Sequence, residues 1–179
     1  MATWSALVGA RRDDKATALG RVLAKVEEAG VRVGGFAQER VLDAAGETLG
    51  WDVVRIGAPV RQPLARRGEQ PDVCDYAFSA LGFETAAAWA LDPRAELVVV
   101  GGVGKLEAAG RGHSPLLLRL LEEGTHRHAL FCIRDTSLAA VALSIPDPES
   151  HLQLPCEPSQ LDEFADGLVE LVRASHRRA

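Results

Sequence analysis

Short, unbroken apolar runs recur along the chain and are bounded by glycine or polar residues. Such runs are typical of strands covered on both faces of a sheet. We expect strands at Thr3–Val8, Val31–Phe36, Trp51–Ile56, Leu97–Val100, Ala129–Ile133 and Ala140–Ile145. Glu39–Leu42 is a candidate continuation of the second strand, and Ala45-Gly46-Glu47 is a candidate turn before the third. Together these segments predict an antiparallel excursion at one edge of the sheet.

Helical repeats fill most of the intervals between the strands. A polar loop at Ala10–Asp14 precedes the first helix, which we expect to reach about Ala29 and to end at Gly30. Its apolar positions recur at i, i+3, i+4 and i+7 on one face, and they are Leu19, Val22, Leu23 and Val26. The Ala-rich stretch Gly82–Leu91 predicts a second helix.

Two later helices have recognisable starts. Ser114 is predicted to cap a helix whose first residue is Pro115, and this helix should run to Glu123 and stop at Gly124. Ser159 is predicted to cap the last helix. The inward residues of that helix are expected to be Leu161, Phe164, Leu168, Leu171 and Val172. The Pro-, Arg- and Gly-rich stretch from Arg61 to Asp75 is expected to be a loop.

Strand and helix alternate through most of the chain, which predicts an α/β fold with a mainly parallel sheet and helices on both faces. A chain of 179 residues suits one domain over 1–179 with a substantial core. The net charge of −5 disfavours nucleic acid as a partner. Three scattered cysteines favour a reduced, cytoplasmic setting. The sequence has no signal-peptide pattern and no apolar run long enough for a membrane span.

A phosphate site is predicted where the first strand meets the first helix. Gly9 follows the strand, and Lys15 lies near the helix start, where N–H groups and the helix dipole favour an anion. The stretch Gly9-Ala10-Arg11-Arg12-Asp13-Asp14-Lys15-Ala16-Thr17 matches the first glycine and the lysine of the phosphate loop G-x-x-x-x-G-K-[ST]. Asp14 replaces the second glycine, and Ala16 replaces the hydroxyl that holds Mg²⁺.

Further motifs follow in order between about Ser5 and Gly124. They are Gly34-Gly35-Phe36-Ala37-Gln38-Glu39, Gly50-Trp51-Asp52-Val53-Val54, Leu64-Ala65-Arg66 and Gly104-Lys105-Leu106-Glu107. This series resembles the small P-loop nucleoside-triphosphatase family, kinase-related enzymes that hydrolyse ATP, GTP and other triphosphates. Gly104 to Gly112 resembles even more the G-K-x-E-x-x-G-R-G stretch of an uncharacterised sister family often encoded near molybdate-transport genes. The resemblance implies a three-layer P-loop sandwich.

The departures from this family determine the functional expectation. In the triphosphatases an Asp-Glu pair ends the central strand, where the Asp supports Mg²⁺ and the Glu activates water; here the positions are Gly101 and Gly102. Phosphoryl transfer depends on positioning and on charge stabilisation by metal and cations. Losing the hydroxyl, the metal support and the base together predicts lost or much reduced hydrolysis.

The resemblance assigns several residues to the site. The relic phosphate site comprises Gly9, Asp14, Lys15 and Thr17, and the cleft candidates are Glu39, Arg66, Lys105, Glu107 and Arg111. The alternative for Lys15 and the cleft candidates is a set of solvated surface charges. Asp13 or Asp14 is also a candidate N-cap for a helix beginning near Lys15, with Lys15 paired to a carboxylate. Thr17 is a poor replacement ligand, since it lies about 100° around the helix from Ala16.

Three further residue types have simpler interpretations. His126, His128 and Cys132 lack the spacing of a metal site, and Cys132 is expected to be a small buried hydrophobe. Trp51 and Trp89 are expected in the core.

The leading functional hypothesis is a P-loop-fold protein that binds a nucleotide such as ATP or GTP, a phosphate or another oxyanion weakly, or acts through a protein partner. One alternative is an active triphosphatase or kinase with substitute ligands. Another is an oxyanion or molybdenum-related accessory protein, which rests on the sister-family resemblance.

Overall fold

A computed structural model of the protein describes residues 3–10, 12–68, 71–72, 75–122 and 127–177, with the side chains of residues 12 and 13 excepted. The strands are β1 (Thr3–Val8), β2 (Val33–Leu42), β3 (Thr48–Arg55), β4 (Arg61–Arg67), β5 (Tyr76–Phe78), β6 (Leu97–Val103), β7 (His128–Ile133) and β8 (Ser150–Gln153). The helices are α1 (Arg12–Glu28), α2 (Ala80–Ala90), α3 (Lys105–Ala108), α4 (Ser114–Leu121), α5 (Asp135–Ala142) and α6 (Pro158–Arg177). Together these strands form one sheet in the order β5-β4-β3-β2-β6-β7-β1-β8.

The centre of the sheet is parallel, as the apolar runs predict. Strands β6, β7 and β1 are neighbours, and β2 and β8 extend this parallel set on its two sides. Leu97, Val98, Val99 and Val100 are fully buried, so β6 is covered on both faces. Each such side chain contributes about 1.5–3 kcal/mol through burial.

Helices cover the sheet on both faces and complete three layers. On one face, α1 and α6 pack together over Leu7, Leu130 and Val99. On the other face, α2, α4 and α5 cover Trp4 and Phe131, whose rings stack with centroids 5.0 Å apart. Alternate residues of β1 therefore enter two separate cores, which explains its unbroken apolar run.

An antiparallel excursion leaves the sheet beside β2, as predicted. Strands β3, β4 and β5 follow β2 with antiparallel pairing throughout. The expectation of a loop over Arg61–Asp75 is wrong for its first half, because Arg61–Arg67 forms β4. Strand β5 pairs only with Ala65 to Arg67, so it does not reach exposed Pro63. On its other side Pro63 lies opposite Asp52, where the register between β3 and β4 shifts, and proline is tolerated at such irregularities.

The expected strand at Ala140–Ile145 is also wrong. Asp135–Ala142 forms α5, which buries Val141 against the α2 and α4 side of the sheet. A short apolar run does not by itself distinguish a strand from a helix, and alanine favours the helix. Strand β8, which was not expected, pairs with β1 through a polar segment.

Four helices begin elsewhere than predicted. Helix α2 begins at Ala80, after Ser79 as N-cap, two residues before the predicted Gly82. Helix α1 begins at Arg12, so the first turn includes residues expected in the loop, and Gly30 follows its end at a φ of 81°. Helix α4 begins at Ser114 after His113 as N-cap, and its predicted end at Glu123 and Gly124 lies outside the described residues. Helix α6 begins at Pro158, so Ser159 lies inside it. None of the described helices combines the length and the apolar composition that a membrane-spanning helix needs.

Candidate functional site

A cleft of about 790 Å³ opens at the carboxyl ends of β6 and β7 and extends beside the antiparallel strands. This edge is where open α/β sheets bind ligands, and the volume suits a small organic molecule. Helix α1 forms one wall through Lys15, Ala16 and Leu19. Trp51 and Phe78 belong to the opposite wall.

The segment after β1 places Lys15 at the cleft. The Gly9 N–H donates to the carbonyl of Ile133 at 3.1 Å, which continues the pairing of β1 with β7. A Cβ at Gly9 would lie 3.2 Å from both Leu154 Cβ and Lys15 Cγ, so glycine lets the lysine stem lie close to the backbone. The Lys15 ammonium donates to the same Ile133 carbonyl at 3.4 Å, and the residue is half-buried.

The other residues of the predicted phosphate loop do not face the cleft in the same way. Asp14 is the third residue of α1 and is exposed, so it does not cap a helix beginning near Lys15. The side chain of Asp13 and all of Arg11 lie outside the described residues. Ala16 lines the cleft, whereas Thr17 is exposed outside it. The geometry therefore brings Lys15 and Ala16 to the cleft, but not Asp14 or Thr17.

Atoms of β2 occupy the space beside Gly101 and Gly102, near the end of β6. A Cβ at Gly101 would lie 2.4 Å from Ala37 Cα and 2.6 Å from the Phe36 carbonyl oxygen, both backbone atoms of β2. The space beside Gly102 is taken by the Gln38 amide, whose Nε2 donates to the Gly102 carbonyl at 3.4 Å. Strand β2 thus lies against the positions where the triphosphatase family carries its acidic pair.

Glu107 holds together the loop that follows β6. Its Oε2 accepts from the Gly104 N–H and its Oε1 from the His113 N–H, each at 2.8 Å. A Cβ at Gly112 would lie 2.4 Å from Oε1, and Gly112 has a φ of 62°, so the turn around the carboxylate requires glycine. Glu107 lines the cleft, but both oxygens of its carboxylate accept hydrogen bonds from its own loop.

Burial shifts the pKa values of two groups in this loop. Burial raises the pKa of the Glu107 carboxyl, although the N–H groups of His113 and Gly104 oppose that rise. Burial also lowers the pKa of His113 to about 4, so its ring is neutral at pH 7. The ring lies between Phe36 and Phe83, with centroids 4.7 Å and 4.8 Å away, and its Nε2 has no hydrogen-bond partner among the described residues.

The remaining cleft candidates separate into two groups. Lys105 is exposed and lines the cleft, and Glu39 lines it while paired with Arg61 at 3.1 Å. Arg66 does not line the cleft: its guanidinium donates to Asp52 Oδ1 at 2.5 Å and to the Trp51 carbonyl at 2.8 Å. Arg111 is exposed outside the cleft.

The sequence interpretation missed two arginines of the cleft. Arg134 follows β7, and its N–H donates to the Val103 carbonyl at 2.9 Å, which fixes it beside the end of β6. Arg55 ends β3 and lies 3.5 Å from Asp92. A charge directly after a buried strand is a signal that could have identified Arg134, since strand ends meet at this edge.

The cleft also has an aromatic wall on the antiparallel side. It includes Trp51, Tyr76, Phe78 and Phe83. Trp51 packs edge-on to Tyr76 with centroids 6.3 Å apart, and Phe78 stacks on Phe83 at 5.9 Å. The expectation that Trp51 belongs to the core is therefore wrong, whereas Trp89 does pack against the core.

The surroundings of His128 and Cys132 indicate structural roles for both side chains. Both ring nitrogens of His128 are engaged at 2.8 Å, Nδ1 with Thr3 Oγ1 and Nε2 with Ser5 Oγ, and burial lowers its pKa to about 4. Burial raises the pKa of Cys132 to about 12 against the opposing charge of Lys15. His126 lies outside the described residues. In the described part of the chain, no group of three or more His, Cys, Asp or Glu side chains is placed to hold a metal ion.

Comparisons with known proteins agree with the fold. The model of a family described as a protein of unknown function, DUF2478, matches residues 4–140, and no curated protein sequence matches the chain. The solution structure of a human cancer-related nucleoside triphosphatase has a TM-score of 0.68 at 20% identity, covering 97% of this chain and 99% of that one. The crystal structure of THEP1 from the hyperthermophile Aquifex aeolicus has a TM-score of 0.65 at 16% identity, covering 95% and 99%. These likenesses confirm the P-loop NTPase-like α/β fold predicted from the sequence.

Proposed function

Because the chain belongs to the DUF2478 family and has a nucleoside-triphosphatase-like fold, we propose that it binds an anion in this cleft without efficient hydrolysis. The ligand is a nucleotide, a phosphate or another oxyanion. Lys15 supplies a cation at the relic phosphate site, and Lys105 supplies another at the cleft edge.

The close packing of β2 on the end of β6 carries this proposal. A carboxylate at Gly101 would have to displace the backbone of Ala37, which a side chain's rotation cannot relieve. Ala16 offers no oxygen at the magnesium position. The donor set therefore does not fit Mg²⁺ held as in the triphosphatases. Removing one electrostatic stabiliser alone costs about 10²–10³ in rate, and here three groups differ.

Hydrolysis assays and titrations test the proposal together. We expect negligible Mg²⁺-dependent turnover of ATP and GTP, and measurable calorimetric binding of at least one of ATP, GTP and phosphate. Turnover at a normal enzyme rate that Lys15→Ala abolishes would instead favour an active triphosphatase with substitute ligands. Absence of binding to every anion tested would remove the proposal altogether.

A second candidate function is that of an oxyanion or molybdenum-related accessory protein. The observation that favours it is the loop Gly104–Gly112, whose glutamate and glycines form an internal turn and leave Lys105 and Arg111 exposed. Molybdate in the same titration, compared with ATP and GTP, distinguishes an oxyanion-related accessory protein from a nucleotide-binding protein. Binding of molybdate with no binding of nucleotide would favour the accessory function.

A further inference from the structure

Positive charge is concentrated where the cleft meets the ends of β6 and β7. The Lys15 ammonium lies 3.4 Å from the carbonyl of Ile133, and Arg134 is the next residue along the chain. The Arg134 N–H donates to the Val103 carbonyl at 2.9 Å, and Lys105 follows two residues after Val103. Three cations from three different segments therefore line one end of the cleft.

The charge of Arg134 is not compensated by a carboxylate among the described residues. Glu107 faces the N–H groups of its own loop at 2.8 Å, and Asp14 points to solvent outside the cleft. In the described part of the chain, the guanidinium of Arg134 makes no hydrogen bond or ion pair, unlike that of Arg61, which pairs with Glu39 at 3.1 Å. An exposed guanidinium beside such a cleft is ready for an anionic ligand.

The other end of the cleft suits a flat apolar group. Trp51, Tyr76, Phe78 and Phe83 supply aromatic surface there, which is a large share of the chain's nine aromatic residues (three Trp, one Tyr and five Phe). Aromatic faces and edges pack well against a heteroaromatic ring. A ligand that uses both ends of the cleft is therefore aromatic at one end and anionic at the other.

We propose that Arg134 neutralises phosphate charge as Mg²⁺ does in the triphosphatases, so that the cleft binds a phosphorylated heteroaromatic compound without Mg²⁺. This inference rests on the proposed function and names its ligand class. A guanidinium matches phosphate oxygens in a bidentate way and remains charged at every relevant pH, whereas Ala16, Gly101 and Gly102 offer no metal ligand. Lys15 and Lys105 complete the phosphate end.

The test measures ADP binding by calorimetry in EDTA and again with Mg²⁺, for wild type and three variants. Arg134→Gln should weaken ADP binding at least about tenfold, as loss of a charged hydrogen bond does. Arg134→Lys should recover part of that loss. Arg119→Gln is the matched control, because Arg119 is exposed on α4 outside the cleft and carries the same charge.

The outcomes separate this inference from the proposed function. Wild type that binds ADP equally well in EDTA, with Arg134→Gln weakened and Arg119→Gln unchanged, supports the inference. Binding that requires Mg²⁺, or that Arg134→Gln leaves at the wild-type level, overturns the inference while the proposed function stands. Binding of inorganic pyrophosphate as tight as that of ADP overturns the aromatic part of the ligand class. Failure of wild type to bind ADP, while it still binds phosphate or molybdate, overturns the inference alone. Failure to bind ADP, ATP, GTP, phosphate and molybdate refutes the proposed function and the inference together.

Discussion

Two loops at the same edge of the sheet differ in how their side chains are used. The segment after β1 leads into α1, whose third residue Asp14 is exposed, although the sequence marks residues 9–17 as the phosphate loop. The loop after β6, residues 104–113, closes around one buried carboxylate, which accepts N–H groups from both of its ends at 2.8 Å. The better-matched motif therefore belongs to the loop after β6, whose own turn requires the matching glutamate and glycine.

Loss of the Glu107 carboxylate should produce the largest change in stability. Glu107→Ala leaves the N–H groups of Gly104 and His113 unpaired in a buried turn, and we expect a loss of about 2–5 kcal/mol. Glu107→Gln keeps one acceptor oxygen and should lose less. Urea denaturation measures both values.

Glu84→Ala is the control for this comparison, because Glu84 is exposed on α2 and should change stability by less than about 0.5 kcal/mol. If Glu107→Ala were as stable as Glu84→Ala, the carboxylate would not hold the loop together.

Acid should destabilise the same loop through His113. The folded protein holds the pKa of His113 at about 4, below the usual value of 6.5 for the unfolded chain. Below pH 6.5 the unfolded chain binds a proton at His113 that the folded protein does not bind. The free energy of unfolding therefore falls as pH drops from 6.5 toward 4, by about 3 kcal/mol in total. His128 has a pKa of about 4 and adds a loss of the same sign. The raised pKa of Glu107 acts in the opposite direction, since the folded state takes up that proton more readily.

His113→Phe isolates the contribution of His113, because phenylalanine stays neutral beside Phe36 and Phe83. Urea denaturation between pH 7.5 and 5 should show a shallower loss of stability in this variant. Exposed His151 provides the control, and His151→Gln should retain the wild-type slope. An unchanged slope in His113→Phe would show that His113 does not titrate as its burial requires.

The next largest loss of stability is expected when a side chain is added near the end of β6. Gly101→Ala brings a Cβ to 2.4 Å from the Ala37 backbone and should cost about 1–3 kcal/mol. Gly102→Ala meets only the flexible end of Gln38 and should cost less. Equal stability of the two variants, measured by urea denaturation, would mean that β2 can withdraw and that room for a carboxylate exists.

The sequence predicted the fold better than the site, for physical reasons. A strand covered on both faces must be continuously apolar, so β1, β6 and β7 were identified correctly. The alternation of such strands with helices then predicts a mainly parallel sheet covered on both faces. Strand β4 was missed because Pro63 and the arginines resemble a loop, and the short pairing with β5 tolerates them.

The cleft depends on contacts between distant segments, which a linear motif does not contain. Glu107 was identified as a cleft residue, but not the hydrogen bonds that it accepts from its own loop. These depend on a turn at position 112 that requires glycine. Arg134 belongs to no motif, and its place in the cleft follows from the β6–β7 pairing. Arg66 was assigned by resemblance, yet its partner Asp52 holds it in the antiparallel region.

The smallest expected effect concerns Asp14, the residue that replaces the second glycine of the phosphate loop. Since Asp14 is exposed in the first turn of α1, Asp14→Asn should barely change the urea midpoint. It removes a negative charge next to Lys15 in the chain, so ADP binding in EDTA should tighten about twofold to threefold, the scale of exposed charge interactions. Glu28→Gln is the control, because it makes the same charge change about 21 Å along the helix and beyond the screening length of about 10 Å at 0.1 M salt. Equal effects of the two variants would mean that only net charge matters, and that the loop after β1 no longer forms part of the anion site.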